Sequence, residues 1–246
     1  MEILAYGEDA LTLWAMKAKL PAILQALNDS SDLSRCQVFF RPSFGRSGGE
    51  SSSQFGEFDF ILLAKQYLYL GESKWQRSSE KIQAGVLALR DEQLLRHKIF
   101  KFYVEEWAFG SYASWREFER KANPKLQRVG ITKPIAPEQS LLAANLQTVL
   151  GVIKKHYTAL PLVKNVLLFL HNGVGISDIP QKAGRDFEVV PVDYSETAFE
   201  NFIRLKVEGG ARFGATGLTP RPPDACGGGF VGRERNLAAG AGDVFR

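Results

Sequence analysis

The chain has little of what builds disulfide frameworks and zinc sites. Its 246 residues include two cysteines and three histidines. Cys36 and Cys226 lie far apart and neither belongs to a CxxC pair, so neither a disulfide framework nor a zinc finger is predicted. His97, His156 and His171 are widely separated and form no HExxH motif. If this protein binds a metal, we expect carboxylates to hold it.

Long apolar runs are also missing. No stretch reaches the roughly 18–20 apolar residues that a membrane-spanning helix needs. Glu2, Glu8 and Asp9 stand where a secretory signal would carry basic residues. The sequence therefore predicts a soluble, cytoplasmic protein with no membrane partner.

Net charge is small. A charge of +4 and a pI of about 9.0 are compatible with a polyanionic partner without demonstrating one. The hydrophobic content of 45% is enough for one sizeable core. We expect that core in residues 1–208. Residues 209–246 are rich in Gly and Pro and lose hydrophobic periodicity, which predicts a disordered tail.

Hydrophobic periodicity predicts the α/β class: a mixed sheet flanked by helices, with a helical middle segment. Helices are expected at 8–27, interrupted by Pro21, from 78 through 94 and beyond, at 138–157 and at 197–207. Strands are expected at 37–41, at 163–170 and at 187–192.

The most informative segment is the apolar hairpin at 55–75, into which several charged residues are set. Alternation and a turn at residues 65–66 predict a register that places Asp59 opposite Glu72 and Glu57 opposite Lys74. Two facing carboxylates repel each other unless a cation lies between them. Carboxylate oxygens without His or Cys suit Mg²⁺ or Mn²⁺.

Asp59, followed after a turn by Glu72-Ser73-Lys74, resembles the signature of the PD-(D/E)XK nuclease superfamily, whose core is restriction-endonuclease-like or Holliday-junction-resolvase-like. The resemblance implies that Asp59 and Glu72 hold the metal and that Lys74 positions or activates the attacking water. It also implies a glutamate on the first helix, for which Glu8 or Asp9 is the candidate.

The hairpin offers one further acid and differs from the signature at one position. Glu57 is the candidate additional acid. Phe58 stands where the signature has proline, at a position that varies in the superfamily. The plain alternative is a solvated hairpin whose charges form surface pairs worth under ~1 kcal/mol.

The segment after the hairpin is basic. Arg90, Arg96, Lys98 and Lys101 are candidate contacts to nucleic-acid phosphates, and a solvated helix face is the alternative. His97, which lies among them, is expected to be solvated as well.

Together these features predict a metal-dependent nuclease that acts on DNA, with RNA left open as a substrate. A nucleic-acid-binding module with an inactive site is the second interpretation, and an interaction domain with neither property is the third. A homodimer is also left open, since nucleases that cut both strands often work as dimers.

Overall fold

The computed structural model describes residues 1–44, 56–77, 82–173, 179–199 and 202–206, all within one compact unit, Met1–Val207. Five helices are described: α1 (Glu8–Ala18), α2 (Leu20–Ala26), α3 (Asp91–Tyr103), α4 (Trp115–Arg128) and α5 (Leu141–His156). A π-helical turn, Val104–Ala108, continues α3. The strands are β1 (Glu2–Ala5), β2 (Gln37–Phe40), β3 (Phe60–Leu63), β4 (Tyr67–Trp75), β5 (Ile82–Gln83), β6 (Val86–Leu87), β7 (Leu162–His171), β8 (Lys182–Ala183), β9 (Phe187–Asp193), β10 (Ala198–Phe199) and β11 (Phe202–Lys206).

The main sheet is mixed, and its eight strands follow the order β2-β3-β4-β7-β9-β8-β6-β5. Strands β2, β3 and β4 form an antiparallel meander, after which β4, β7 and β9 run parallel. The chain reaches β7 from β4 through α3, α4 and α5, the kind of helical crossover that parallel strands require. The α/β class predicted from sequence is confirmed.

Helices cover both faces of this sheet. Ile61, Leu63, Leu68 and Leu70 share one apolar cluster with α3, α4 and α5. Residues of the opposite face, including Leu62 and Tyr69, share another with α1 and α2. Strands buried on both faces read as near-continuous apolar runs, as β3 and the start of β4 do.

The predicted hairpin register is confirmed over Phe60–Leu63. The ladder ends there, so the predicted pair of Glu57 with Lys74 is not formed within it, and Glu57 instead bridges to Ser43. Ile61 pairs with Leu70 and Leu63 with Leu68, and the Ala64 amide donates to the Tyr67 carbonyl across the turn (3.0 Å). Gly71 lies opposite Phe60, whose ring would come within 2.1 Å of a Cβ at that position. Only glycine therefore fits beside the Phe60 ring.

Other expectations are also confirmed. The first helix divides where Pro21 was expected to interrupt it, and Pro21 lies in the first turn of α2, where its missing N–H has no intrahelical role. Strands β7 and β9 cover the segments assigned to them, and helix α5 lies within the predicted segment 138–157 but begins three residues later and ends one residue earlier. Ser140 caps α5 by accepting a hydrogen bond from the Ala143 amide (3.1 Å).

The helix predicted from residue 78 is wrong over 82–87, where β5 and β6 form a small antiparallel pair. Ala84 and Gly85, in the turn between them, both have positive φ (50° and 75°). That conformation ends a right-handed helix and favours the turn of a hairpin. Helix α3 accordingly begins only at Asp91.

The closing helix predicted at 197–207 is also wrong. Strands β10 and β11 lie there instead, and β11 pairs antiparallel with β1, so that Ile203 lies opposite Ala5 and Leu205 opposite Ile3. The spacing of Phe199, Phe202 and Leu205 fits a helix, but β1 offers the backbone partner that turns this segment into a strand.

The described residues end at Lys206, so the predicted tail at 209–246 lies outside them and stays a prediction. Among the described helices, none is long and apolar enough to cross a membrane.

Candidate metal and nucleic-acid site

The hairpin brings Asp59, which lies just before β3, close to Glu72 and Ser73 on β4. The ladder itself ends at the Phe60–Gly71 pair, and the Asp59 amide also donates to the Gly71 carbonyl (3.2 Å), so Asp59 lies just beyond the ladder. Glu72 and Lys74 share the face of β4 that carries Leu68 and Leu70. The two predicted carboxylates are therefore close to each other, although they are not paired residues of the ladder.

Asp59 is held from the β4 backbone. Its Oδ2 accepts a hydrogen bond from the Ser73 amide (2.7 Å), while its Oδ1 has no hydrogen-bond partner in the described part of the chain. Burial, followed by the negative charge of Glu72, raises the pKa of Asp59 to about 7. The Ser73 hydrogen bond and the positive charge of Lys74 oppose this rise. Ionisation of Asp59 is therefore less favourable in the folded protein than in water.

Glu72 is buried, with 2% of its surface exposed, and three side chains of α3 donate to it. Oε2 accepts from Gln93 Nε2 (2.7 Å), while Oε1 accepts from His97 Nε2 (3.0 Å) and from the Arg96 guanidinium. Although burial acts in the opposite direction, the His97 hydrogen bond and the Arg96 charge keep the pKa of Glu72 below its ordinary value. Glu72 is therefore the charged member of the pair.

His97 is buried, and the prediction that it is solvated is wrong. Because a carboxylate only accepts hydrogen bonds, His97 Nε2 is the donor to Glu72. The other ring nitrogen, Nδ1, lies 2.8 Å from Asn165 Oδ1 on β7. The ring also packs edge-on against Phe58, with ring centroids 4.9 Å apart, and is therefore fixed on both sides.

Lys74 and Glu8 meet at the end of β4. Only 8% of the Lys74 side chain is exposed, and its Nζ lies 3.5 Å from Glu8 Oε1. Glu8 Oε2 accepts a hydrogen bond from the Trp75 amide (2.8 Å). The first helix thus contributes the predicted glutamate, and Glu8 rather than Asp9 is the residue beside Lys74.

Asp9 and Glu57 instead share Arg41. The Arg41 guanidinium forms ion pairs with Asp9 and with Glu57 Oε2, the latter at 2.7 Å, and Glu57 Oε1 also accepts from the Ser43 hydroxyl (3.2 Å). Arg41 is also joined to the central pair, because its amide donates to the Asp59 carbonyl (3.0 Å).

The basic residues assigned to nucleic-acid contact fall into two groups. Arg90, Lys98 and Lys101 are exposed at the start of α3 and along it, so their contact with phosphate stays a prediction. Arg96 points inward to Glu72, and 13% of its side chain is exposed.

The donor set is compatible with a hard divalent cation. Asp59 offers an oxygen that has no hydrogen-bond partner among the described residues, beside a second carboxylate. The three donors to Glu72 occupy three of about four lone-pair sites of that carboxylate. The described residues contain no group of three or more His, Cys, Asp or Glu side chains arranged around one metal position. One or two carboxylates with water completing the coordination is the usual way in which proteins hold Mg²⁺.

Sequence reasoning missed the donors to Glu72, although a signal for them is present. Gln93, Arg96 and His97 stand at i, i+3 and i+4, which places them on one face of a helix. A polar helix face that packs into the interior needs a buried hydrogen-bond acceptor, and here that acceptor is Glu72. Asn165 gave no comparable signal, because it lies in a single strand, β7, most of whose residues are apolar.

No protein-family model, curated protein or solved structure matches this chain, so its resemblance to the nuclease superfamily depends on its own residues alone.

Proposed function

We propose that this protein is a metal-dependent nuclease that hydrolyses phosphodiester bonds, with DNA as the expected substrate. The observation that carries the proposal is the closeness of Asp59 and Glu72, with the buried Lys74 two residues further along β4. Asp59 and Glu72 are the residues that would hold Mg²⁺ or Mn²⁺. The order of a helix, a three-stranded meander, a helical crossover and a parallel strand is compatible with the fold that the resemblance implies.

Each side chain has a role that follows from its position. Asp59 presents Oδ1 while the Ser73 amide holds Oδ2. Glu72 stays ionised because α3 donates to it. Lys74, held near Glu8, can orient a water or stabilise negative charge that develops on the phosphate oxygens. When bound, the metal would supply Lewis acidity and lower the pKa of a coordinated water.

The substrate side of the proposal depends on charge. Arg90, Lys98 and Lys101 form an exposed basic edge on the helix that also carries the donors to Glu72. Each lysine or arginine that neutralises a phosphate contributes affinity that falls with salt concentration. Binding along this edge would bring a phosphodiester toward the Asp59–Glu72 pair.

The test is cleavage of duplex, single-stranded and branched DNA with Mg²⁺ or Mn²⁺, and of RNA in parallel. We expect wild type to cut in a metal-dependent way and Lys74→Ala to lose about 10²-fold or more of the rate, since it removes a charge that acts on the transition state. Lys121→Ala is the matched control, because this exposed lysine pairs with Glu117 on α4. Cutting by Lys74→Ala at the wild-type rate would refute the assignment.

A second candidate is a nucleic-acid-binding module with an inactive site. The three donors that already surround Glu72 favour it, because they satisfy the carboxylate with hydrogen bonds and Arg96 balances its charge without a metal. Such a module would shift DNA in a gel in the presence of EDTA and would leave it uncut. Folded wild-type protein that binds but never cuts, even with Mn²⁺, would support this candidate over the nuclease.

A further inference from the structure

Three residues surround the Arg96 side chain, Glu72, Phe58 and Gly56, and together they form what we call the Arg96 seat. The Arg96 guanidinium pairs with Glu72, and its Cζ lies 5.2 Å from the centre of the Phe58 ring. Gly56 completes the seat, because a Cβ at this position would come within 2.8 Å of Arg96 Nη1. The arginine therefore occupies space that the chain leaves open for it beside the carboxylate pair.

This seat satisfies Arg96 incompletely. The Nε of Arg96 is buried and has no hydrogen-bond partner in the described residues. A buried donor without a partner costs free energy, which lowers the cost of moving the side chain away. The Arg96 side chain also reaches the surface, where 13% of it is exposed.

The other charged or polar donors are fixed more firmly. His97 is tied to both Glu72 and Asn165 and packs between Phe58 and Phe187. Gln93 also accepts a hydrogen bond from the Arg90 amide at the start of α3 (3.1 Å). Of the three donors, Arg96 is the one that carries a permanent charge and can leave.

We propose that Arg96 is a built-in counter-ion of Glu72, which a divalent cation displaces when it binds between Asp59 and Glu72. Arg96 is thus a positioning residue that sets the metal affinity of the site, an inference that depends on the proposed metal-binding function. A displaced guanidinium would lie close to the metal and have the fork geometry that binds phosphate oxygens in pairs. Metal binding and phosphate binding would then be coupled through one side chain.

The experiment is a calorimetric titration of the full chain with Mn²⁺ alone, without nucleic acid, for wild type, Arg96→Gln and Arg128→Gln. Arg128 is an exposed arginine at the end of α4, so Arg128→Gln controls for the loss of one positive charge. Because a charged hydrogen-bonded competitor is removed, we expect Mn²⁺ to bind Arg96→Gln at least about tenfold more tightly than wild type. Arg128→Gln should bind as wild type does.

The outcomes separate this inference from the function on which it depends. Tighter binding by Arg96→Gln than by wild type, with both proteins binding Mn²⁺, supports the displacement. Equal or weaker binding by Arg96→Gln, with clear binding by wild type, overturns the role of Arg96 and leaves the metal site intact. Absence of Mn²⁺ binding by every folded variant overturns the metal site itself.

Arg96→Lys keeps the test decisive if Arg96→Gln does not fold. Lysine retains the charge but has no planar fork, so it holds the Glu72 oxygens less well. We expect an affinity for Mn²⁺ between those of wild type and Arg96→Gln. Thermal unfolding gives an independent readout, because Mn²⁺ should raise the melting temperature of the tighter-binding variant more at equal concentration. An affinity of Arg96→Lys at or below that of wild type, without a larger thermal shift, would contradict the displacement.

Discussion

Two groups of carboxylates and arginines lie beside the β3–β4 hairpin, and they differ in exposure. In the inner group, Glu72 and Arg96 are 2% and 13% exposed and share the interior with His97. In the outer group, Arg41 and Asp9 are 40% and 55% exposed, with Glu57 as the second acid. Both groups contain the same chemical pair, a carboxylate and a guanidinium, so burial is the main variable between them.

The difference in burial decides what each group can do. Water competes for exposed ion pairs and screens them, so such pairs contribute little to stability. In the interior, loss of one partner leaves the other charge without water, which makes the pair costly to break. The inner group is therefore where a change of ligand, from guanidinium to metal, can have a large effect.

Asp59 interacts with both groups, the outer one through its backbone and the inner one through its side chain. Its amide pairs with β4 and its carbonyl accepts from the Arg41 amide, while its side chain faces Glu72. It is a half-buried carboxyl, and within the described residues no cation forms an ion pair with it. We infer that this imbalance is what a divalent cation would correct.

The largest expected effect is on the inner group. Glu72→Ala leaves Arg96 and His97 buried without their acceptor, and removing one member of a buried pair typically costs about 3–5 kcal/mol. Urea unfolding at neutral pH measures the loss. A loss below about 1 kcal/mol would mean that the Glu72–Arg96 pair contributes no more to stability than an exposed ion pair does.

A double replacement sharpens this result. Glu72→Leu combined with Arg96→Leu removes both charges, and apolar groups of similar size often restore stability. We expect the double variant to be more stable than Glu72→Ala. If it is not, the cost lies in packing and not in the unpaired charge.

The next effect is the pH dependence that Asp59 imposes. The folded state raises the pKa of Asp59 from 3.8 to about 7, so between these values the folded chain binds more protons than the unfolded chain. The free energy of unfolding should therefore fall as pH rises through this window, by up to about 1.4 kcal/mol per unit.

Asp59→Asn removes the titrating group and should flatten this part of the profile. Unfolding of wild type and variant at a series of pH values, without divalent ions, provides the measurement. A variant with the same slope as wild type would show that Asp59 does not titrate in this window.

The smallest effect is expected in the outer group. Arg41→Gln breaks exposed contacts with Asp9 and Glu57, and we expect a loss below about 1 kcal/mol in the free energy of unfolding. Added salt should reduce the difference between this variant and wild type. A loss as large as that of Glu72→Ala would mean that burial does not separate the two groups.

The sequence carried enough information to predict the hairpin, because its apolar residues alternate and any slip in register would expose them. The pairing of Ile61 with Leu70 follows from that pattern, and so does the closeness of Asp59 to Glu72. Strand β11 could not be predicted in the same way. Its helical spacing was overridden by β1, a partner about 200 residues away in sequence.

The surroundings of Glu72 were predictable only in part. The i, i+3, i+4 spacing of Gln93, Arg96 and His97 indicates one polar helix face, but basic residues on a helix usually face solvent. What turns this face inward is the packing of α3 against β4, a tertiary contact that the local sequence does not encode.

The most direct test of the central claim is Mn²⁺ binding by wild type and Asp59→Asn, measured by calorimetry above pH 7. The account predicts one Mn²⁺ bound per wild-type chain and at least about tenfold weaker binding by the variant, which lacks one of the two carboxylates. Equal binding by both proteins, or none by folded wild type, would contradict the claim that Asp59 and Glu72 hold a divalent cation.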